Sequence, residues 1–157
     1  MNTRLKKLDE ASDFDAIILA VAGLRRLGWF ERIGEILERD VSLHAVSQGA
    51  LGIECRADDS RTLAIVGTLT HYHTLLRCTA ERAFLRRLEG GCSVPIGVFT
   101  EYSPDTKILS LHGGVFSLDG SQQVRGAVAE SVEGPEAAKA IGFVFHLLGI
   151  FLRSHLF

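Results

Sequence analysis

Apolar residues in this chain are spaced in two different ways, and the change falls near its middle. Leu5 and Leu8 stand among charged neighbours over positions 3–11, which predicts a short amphipathic helix. Behind Asp13 and Asp15, positions 16–20 are continuously apolar (AIILA) and read as a strand buried on both faces. Positions 22–27 then turn helical, with Gly28 as the stop. A strand feeding a helix is the order of an α/β unit. A weak helical pattern continues over 31–37, and strands are expected at 42–46 and 51–55, on either side of a Gln48-Gly49 turn.

From position 58 the signals strengthen. Asp58-Asp59-Ser60 is an N-cap cluster for a helix running to Leu69. Leu76, Ala80, Phe84 and Leu88 recur every fourth residue, so 74–88 is predicted helical, ending at Gly90-Gly91. After it the pattern shortens: 94–102, 107–112 and 115–118 read as strands, with turns at Ser103-Pro104-Asp105, Gly113-Gly114 and Asp119-Gly120. Pro135 suits the first turn of a last helix reaching about Leu152. The second half is thus expected to be a small α+β unit with an antiparallel sheet. A boundary is expected near 69–73.

Composition narrows the class. With 46% apolar and 23% charged residues the 157-residue chain can bury a core, and a net charge of −2 gives no electrostatic reason to expect nucleic acid or an anionic membrane as partner. The three cysteines, Cys55, Cys78 and Cys92, show no C-x-x-C spacing, which argues against a disulfide framework or structural zinc and fits a reducing compartment. No apolar region follows the basic residues of the first ten positions, and the apolar stretch 141–152 is too short to span a bilayer. A cytoplasmic location is expected.

The candidate chemistry is sparse. Cys92 lies in EGGCSVP, between a helix end and a strand, where two preceding glycines leave a sulfur sterically open. Composition alone favours the plainer reading, a small buried apolar residue, as for Cys55 and Cys78. Arg26 follows an apolar run and turn, the place where α/β crevices bind ligands, and a guanidinium there can grip a carboxylate with paired hydrogen bonds; a surface arginine is an equal reading. Ser47-Gln48-Gly49-Ala50 is a tight polar turn able to offer N–H groups to an anion. His71 and His73 lack a third ligand at a sensible spacing, so no metal site is expected. Phosphate-binding glycine loops, nucleophile elbows and paired carboxylates are not found.

Five stretches carry a resemblance: NTRL at 2–5 with Lys7-Leu8-Asp9, AIILAVAGLRRLGW at 16–29, HAVSQGALGIECR at 44–56, TLLRCTAERAFLRRLEGGCSVPIGV at 74–98 and GGVFSLDG at 113–120. In this order they resemble hydroxymethylbilane synthase (porphobilinogen deaminase), with LEGGCSVPIG the most specific. The resemblance implies a transferase of porphyrin and heme biosynthesis that condenses four porphobilinogen molecules into linear hydroxymethylbilane, releasing ammonia at each step. It implies a dipyrromethane cofactor bound through a thioether to Cys92, with Arg4, Arg26 and Gln48 at cofactor- and substrate-binding positions.

The resemblance also implies an arrangement of domains. Residues 1–46 would be a remnant of a central α/β, periplasmic-binding-protein-like domain, and 47–70 a segment returning to an N-terminal domain. Residues 71–157 would be a C-terminal α+β domain with a three-stranded antiparallel sheet. The family's catalytic aspartate lies in the N-terminal domain, so no catalytic residue is assigned within this chain. The expectation is a C-terminal half, active only with an N-terminal half in trans, and prone to self-association where apolar surface is left uncovered. His73 stands where an acidic residue is common in the family.

Overall fold

The computed structural model describes residues 2–11, 14–88 and 95–143. The chain forms two compact units, Met1–Glu38 and Arg39–Phe157.

In the first unit, helix α1 (Asn2–Glu10) buries Leu5 and helix α2 (Val21–Arg26) buries Leu24. Gly28, at φ +74°, ends α2 with the left-handed turn anticipated there. A 3-10 turn, Phe30–Arg32, follows, and the Arg32 guanidinium grips Asp9 through two hydrogen bonds of 2.6 and 3.3 Å. The strand expected over 16–20 does not form: the segment is irregular and Ile18 is 73% exposed. A strand buried on both faces needs neighbours on both edges, and among the described residues none pairs with it. The helical pattern over 31–37 likewise extends no further than the 3-10 turn.

The second unit is a small α+β fold with a three-stranded antiparallel sheet in the order β1-β2-β3: β1 Ile96–Tyr102, β2 Ile108–Phe116, β3 Gln123–Ser131. Helix α3 (Ser60–Gly67) is capped by Asp59, whose carboxylate accepts from the Thr62 N–H and hydroxyl at 3.0 and 2.7 Å. Helix α4 (Tyr72–Arg87) and a last helix α5 over 135–143 complete it. The core lies between one face of the sheet and these last two helices. Val98, Leu109, Leu111 and Val115 meet Leu76, Ala80 and Phe84 of α4 and Ala138 and Ile141 of α5. The fourfold spacing in α4 and the twofold spacing in β1 and β2 are what place these residues on facing surfaces.

Three strand expectations need correction. Gly113-Gly114 is not a turn but the middle of β2, opposite Val98 and Gly97 on β1 and Gly126 and Arg125 on β3. Gly114 and its β1 partner Gly97 leave room for Leu43, which crosses the far face of the sheet: a Cβ on Gly97 would stand 2.5 Å from the Leu43 Cβ, and one on Gly114 would stand 3.0 Å from its Cδ1. The sheet turns instead at Asp119-Gly120, and the third strand comes after it. The strand expected at 42–46 is reduced to one bridge, His44 with Val98, made by hydrogen bonds of 3.0 and 2.7 Å. The one expected at 51–55 is irregular, with Leu51 97% exposed. Helix α3 buries no residue either. Among the described residues, no helix is long and apolar enough to cross a membrane.

Candidate functional site

Arg4 is exposed on α1, next to the buried Leu5. Arg26 is the last residue of α2 and is also exposed. Neither guanidinium has an ion pair or a side-chain hydrogen bond among the described residues, whereas Arg32 and Arg39 are each held by a carboxylate. Both are therefore free to receive an anion. No hydrogen bond joins Arg4 to Arg26, and the two share the first unit while Gln48 belongs to the second. Cys92 lies outside the described residues; the other two cysteines are half-buried free thiols.

Gln48 sits exposed in the turn anticipated for it. The Gln48 N–H donates to the Ala45 carbonyl at 3.0 Å and the Ala50 N–H to the Ser47 carbonyl at 3.1 Å. Ser47 at φ +60° and Gly49 at φ +84° both take left-handed conformations. The Ser47 N–H donates at 2.6 Å to a carboxylate oxygen of Glu81, on α4. The other oxygen of Glu81 accepts from the Thr100 hydroxyl on β1, which in turn accepts from Arg77 Nε at 3.0 Å. Glu81 thus ties together the Gln48 turn, α4 and β1.

Sequence reasoning missed Glu81. It follows Arg77 at the i,i+4 spacing of an ordinary surface ion pair, and only its position beside the Ala80 stripe hinted at burial. Near the start of α4 a hollow of about 500 Å3 is lined by His71, His73, Arg77 and Tyr102. The two imidazoles stand 5.5 Å apart there. Among the described residues, no group of three or more His, Cys, Asp or Glu side chains is placed to hold a metal ion.

Two family models match the chain. Residues 1–64 match "Porphobilinogen deaminase, dipyromethane cofactor binding domain" and residues 75–144 match "Porphobilinogen deaminase, C-terminal domain". The matches thus pair a region similar to a dipyrromethane-cofactor-binding domain with one similar to the C-terminal domain that follows it in sequence. Curated relatives named porphobilinogen deaminase include those of Gloeobacter violaceus (58% identical), Synechococcus elongatus (55%) and Nostoc sp. (52%), each over 137 residues. This is 87% of the present chain, but the chain spans only 41–42% of the length of those relatives. The chain belongs to the porphobilinogen deaminase family.

Proposed function

We propose that this chain works as part of a hydroxymethylbilane synthase, binding a dipyrromethane cofactor on which four porphobilinogen units are condensed. The observation that carries the reading is the pair of unengaged guanidinium groups, Arg4 and Arg26, within the stretch matched by the cofactor-binding model. Each pyrrole of this chemistry bears two carboxylates, so the growing chain gathers negative charge that fixed arginines can hold. The two residues suit the group in charge and in freedom from other partners. Gln48 would add a neutral donor and acceptor.

Cys92 is the proposed thioether attachment point. When bound, the cofactor would supply the terminal pyrrole carbon for the first new C–C bond, and each later bond would be made to the unit added last, with loss of that carbon's proton. In each cycle the aminomethyl C–N bond of porphobilinogen breaks and ammonia departs. The residues of this chain bind and orient. The acid assisting loss of ammonia is, by the family resemblance, an aspartate of the N-terminal domain.

A second reading is favoured by the uncovered apolar side chains Ile18, Leu51, Ile53 and Leu69, exposed by 59–97%. On it, the chain is a cofactor-bearing fragment or subunit that needs an N-terminal catalytic half in trans. The proposed division is 1–46 as part of a periplasmic-binding-protein-like α/β domain, 47–70 as a segment returning to the N-terminal domain, and 71–157 as the C-terminal domain. The cytoplasm is the proposed location, and the isolated chain is proposed to self-associate through its uncovered surface.

Intact-mass measurement after incubation with porphobilinogen tests both readings. A gain equal to two pyrrole units, lost in Cys92→Ser, supports the site. An adduct without release of hydroxymethylbilane supports the fragment reading. No adduct, even with an N-terminal half added, counts against the site, and a monodisperse monomer in sedimentation counts against self-association.

A further inference from the structure

Ser47 bears two costs at once. Its φ of +60° lies in the left-handed region that side-chain-bearing residues rarely adopt. Its hydroxyl is buried with no hydrogen-bond partner among the described residues. Such a conformation persists only when its surroundings over-determine it. The restraint here is Glu81, 6% exposed and the one charged side chain among the buried described residues. It accepts the Ser47 N–H at 2.6 Å across a sequence separation of 34 residues. Its second oxygen is committed to Thr100, so the carboxylate cannot swing away without breaking both bonds.

We propose that Glu81 is a positioning residue: it holds the left-handed Ser47 turn against α4 and so presents the Gln48 side chain in one orientation to a pyrrole-carboxylate ligand. This rests on the functional reading of Gln48 given above. The chemistry selects a carboxylate. Both partners of Glu81 act as donors, so two acceptor oxygens are needed, and a glutamine offers only one. The same residue couples the turn to the helix that leads, in sequence, to Cys92. Any shift of α4 is therefore passed to the Gln48 turn through a short charge-assisted bond.

Site-resolved amide hydrogen exchange on the full 157-residue chain tests this. In Glu81→Ala the Ser47, Gln48 and Ala50 amides are expected to exchange roughly tenfold faster or more, the loss of a hydrogen bond to a charged group. Ladder amides of β1 and β2 should stay within about twofold. Glu81→Gln, which keeps one acceptor, gives an intermediate rate. Adding Ser47→Gly to Glu81→Ala restores protection at Gln48 and Ala50, because glycine takes φ +60° without strain. Unchanged turn exchange in Glu81→Ala overturns the proposal, as does an equal rise in turn and ladder. If Glu81→Ala does not fold, Glu81→Gln decides: selective loosening of the turn supports the role and none overturns it.

Cofactor loading separates the ligand role from the clamp. With porphobilinogen as probe, slower mass gain on Cys92 in both Glu81→Ala and Gln48→Ala supports presentation of Gln48. Normal gain in both overturns it while leaving the exchange result intact. Absence of any gain in the unsubstituted chain counts against the functional reading itself, and the exchange rates then decide the clamp alone.

Discussion

Replacing Gly142 by alanine should destabilise the second unit, although glycine to alanine inside a helix is ordinarily favourable. Gly142 lies on α5 where it crosses α4. A Cβ built there would meet the Ala80 carbonyl oxygen and stand 2.6 Å from the Ala83 Cβ and 2.7 Å from the Phe84 N. Two of these three atoms belong to the backbone of α4, so no rotamer change relieves the clash and the helices must move apart. Inserting a methyl into so tight a contact costs about 3 kcal/mol, the upper part of the overpacking range. The gain in helix propensity offsets about 1 kcal/mol. The net loss is about 2 kcal/mol, or a fall in Tm of roughly 8 °C for a unit of this size. Urea and thermal unfolding of Gly142→Ala and of Ala140→Gly, an exposed position on the same helix, measure the two terms separately. Ala140→Gly should lose about 1 kcal/mol through propensity alone. A Gly142→Ala chain as stable as the parent, at unchanged urea m-value, would refute the close crossing of α4 and α5.

Two further expectations concern the sheet. Gly97→Ala should be destabilising by about 1–3 kcal/mol, and Leu43→Ala should not rescue it. The obstructing atom at 2.5 Å is the Leu43 Cβ, which alanine keeps, so only Leu43→Gly relieves the clash; a double-mutant cycle by urea denaturation checks the coupling. At the β2–β3 turn, hydrogen bonds from the Ser117 hydroxyl and from the Ser121 N–H and hydroxyl hold the Asp119 carboxyl down to about 2. Because the folded-state value lies below the ordinary one, the contribution of Asp119 is complete above about pH 4 and is lost as pH falls through about 2. Carboxyl-carbon NMR should show that low midpoint, and Ser117→Ala should raise it.

The parts of the fold legible in the sequence are those whose burial is arranged within a few residues. The stripe of Leu76, Ala80 and Phe84 announced α4, and all three are buried. Asp59 announced the start of α3 and caps it. Reading failed where the cause is distant in sequence. Gly113-Gly114 has the signature of a turn, and nothing local reveals that Leu43 needs the space above Gly114. The AIILA run expresses a demand for burial, but a strand is a property of its partners, and position 18 is left exposed. Arg4 is proposed as a binding residue only through the motif that holds it, whereas Arg26 is suggested also by its place after an apolar run and turn. Glu81 was missed because its two partners, Ser47 and Thr100, lie 34 positions before it and 19 after it.

The proposed attachment point is sequence-adjacent to the most deeply packed elements of the chain. Cys92 falls between α4, which buries Leu76, Ala80, Ala83 and Phe84, and β1, which buries Val98 and Thr100. A tether that must deliver a growing, polyanionic chain to one place is best anchored between elements that cannot shift independently. Here α4 and β1 are joined twice, by apolar packing of Phe84 and Val98 within one core and by the Glu81–Thr100–Arg77 hydrogen bonds. Apolar packing alone would tolerate small sliding of a helix over a sheet. A buried carboxylate with both oxygens engaged does not, because each lost bond leaves a buried charge without one of its donors. On the proposed reading, that is why an acidic residue occupies the interior here: it fixes the register of the helix that leads into the cofactor loop, and a hydrophobic residue of equal volume would hold the fold without holding the register.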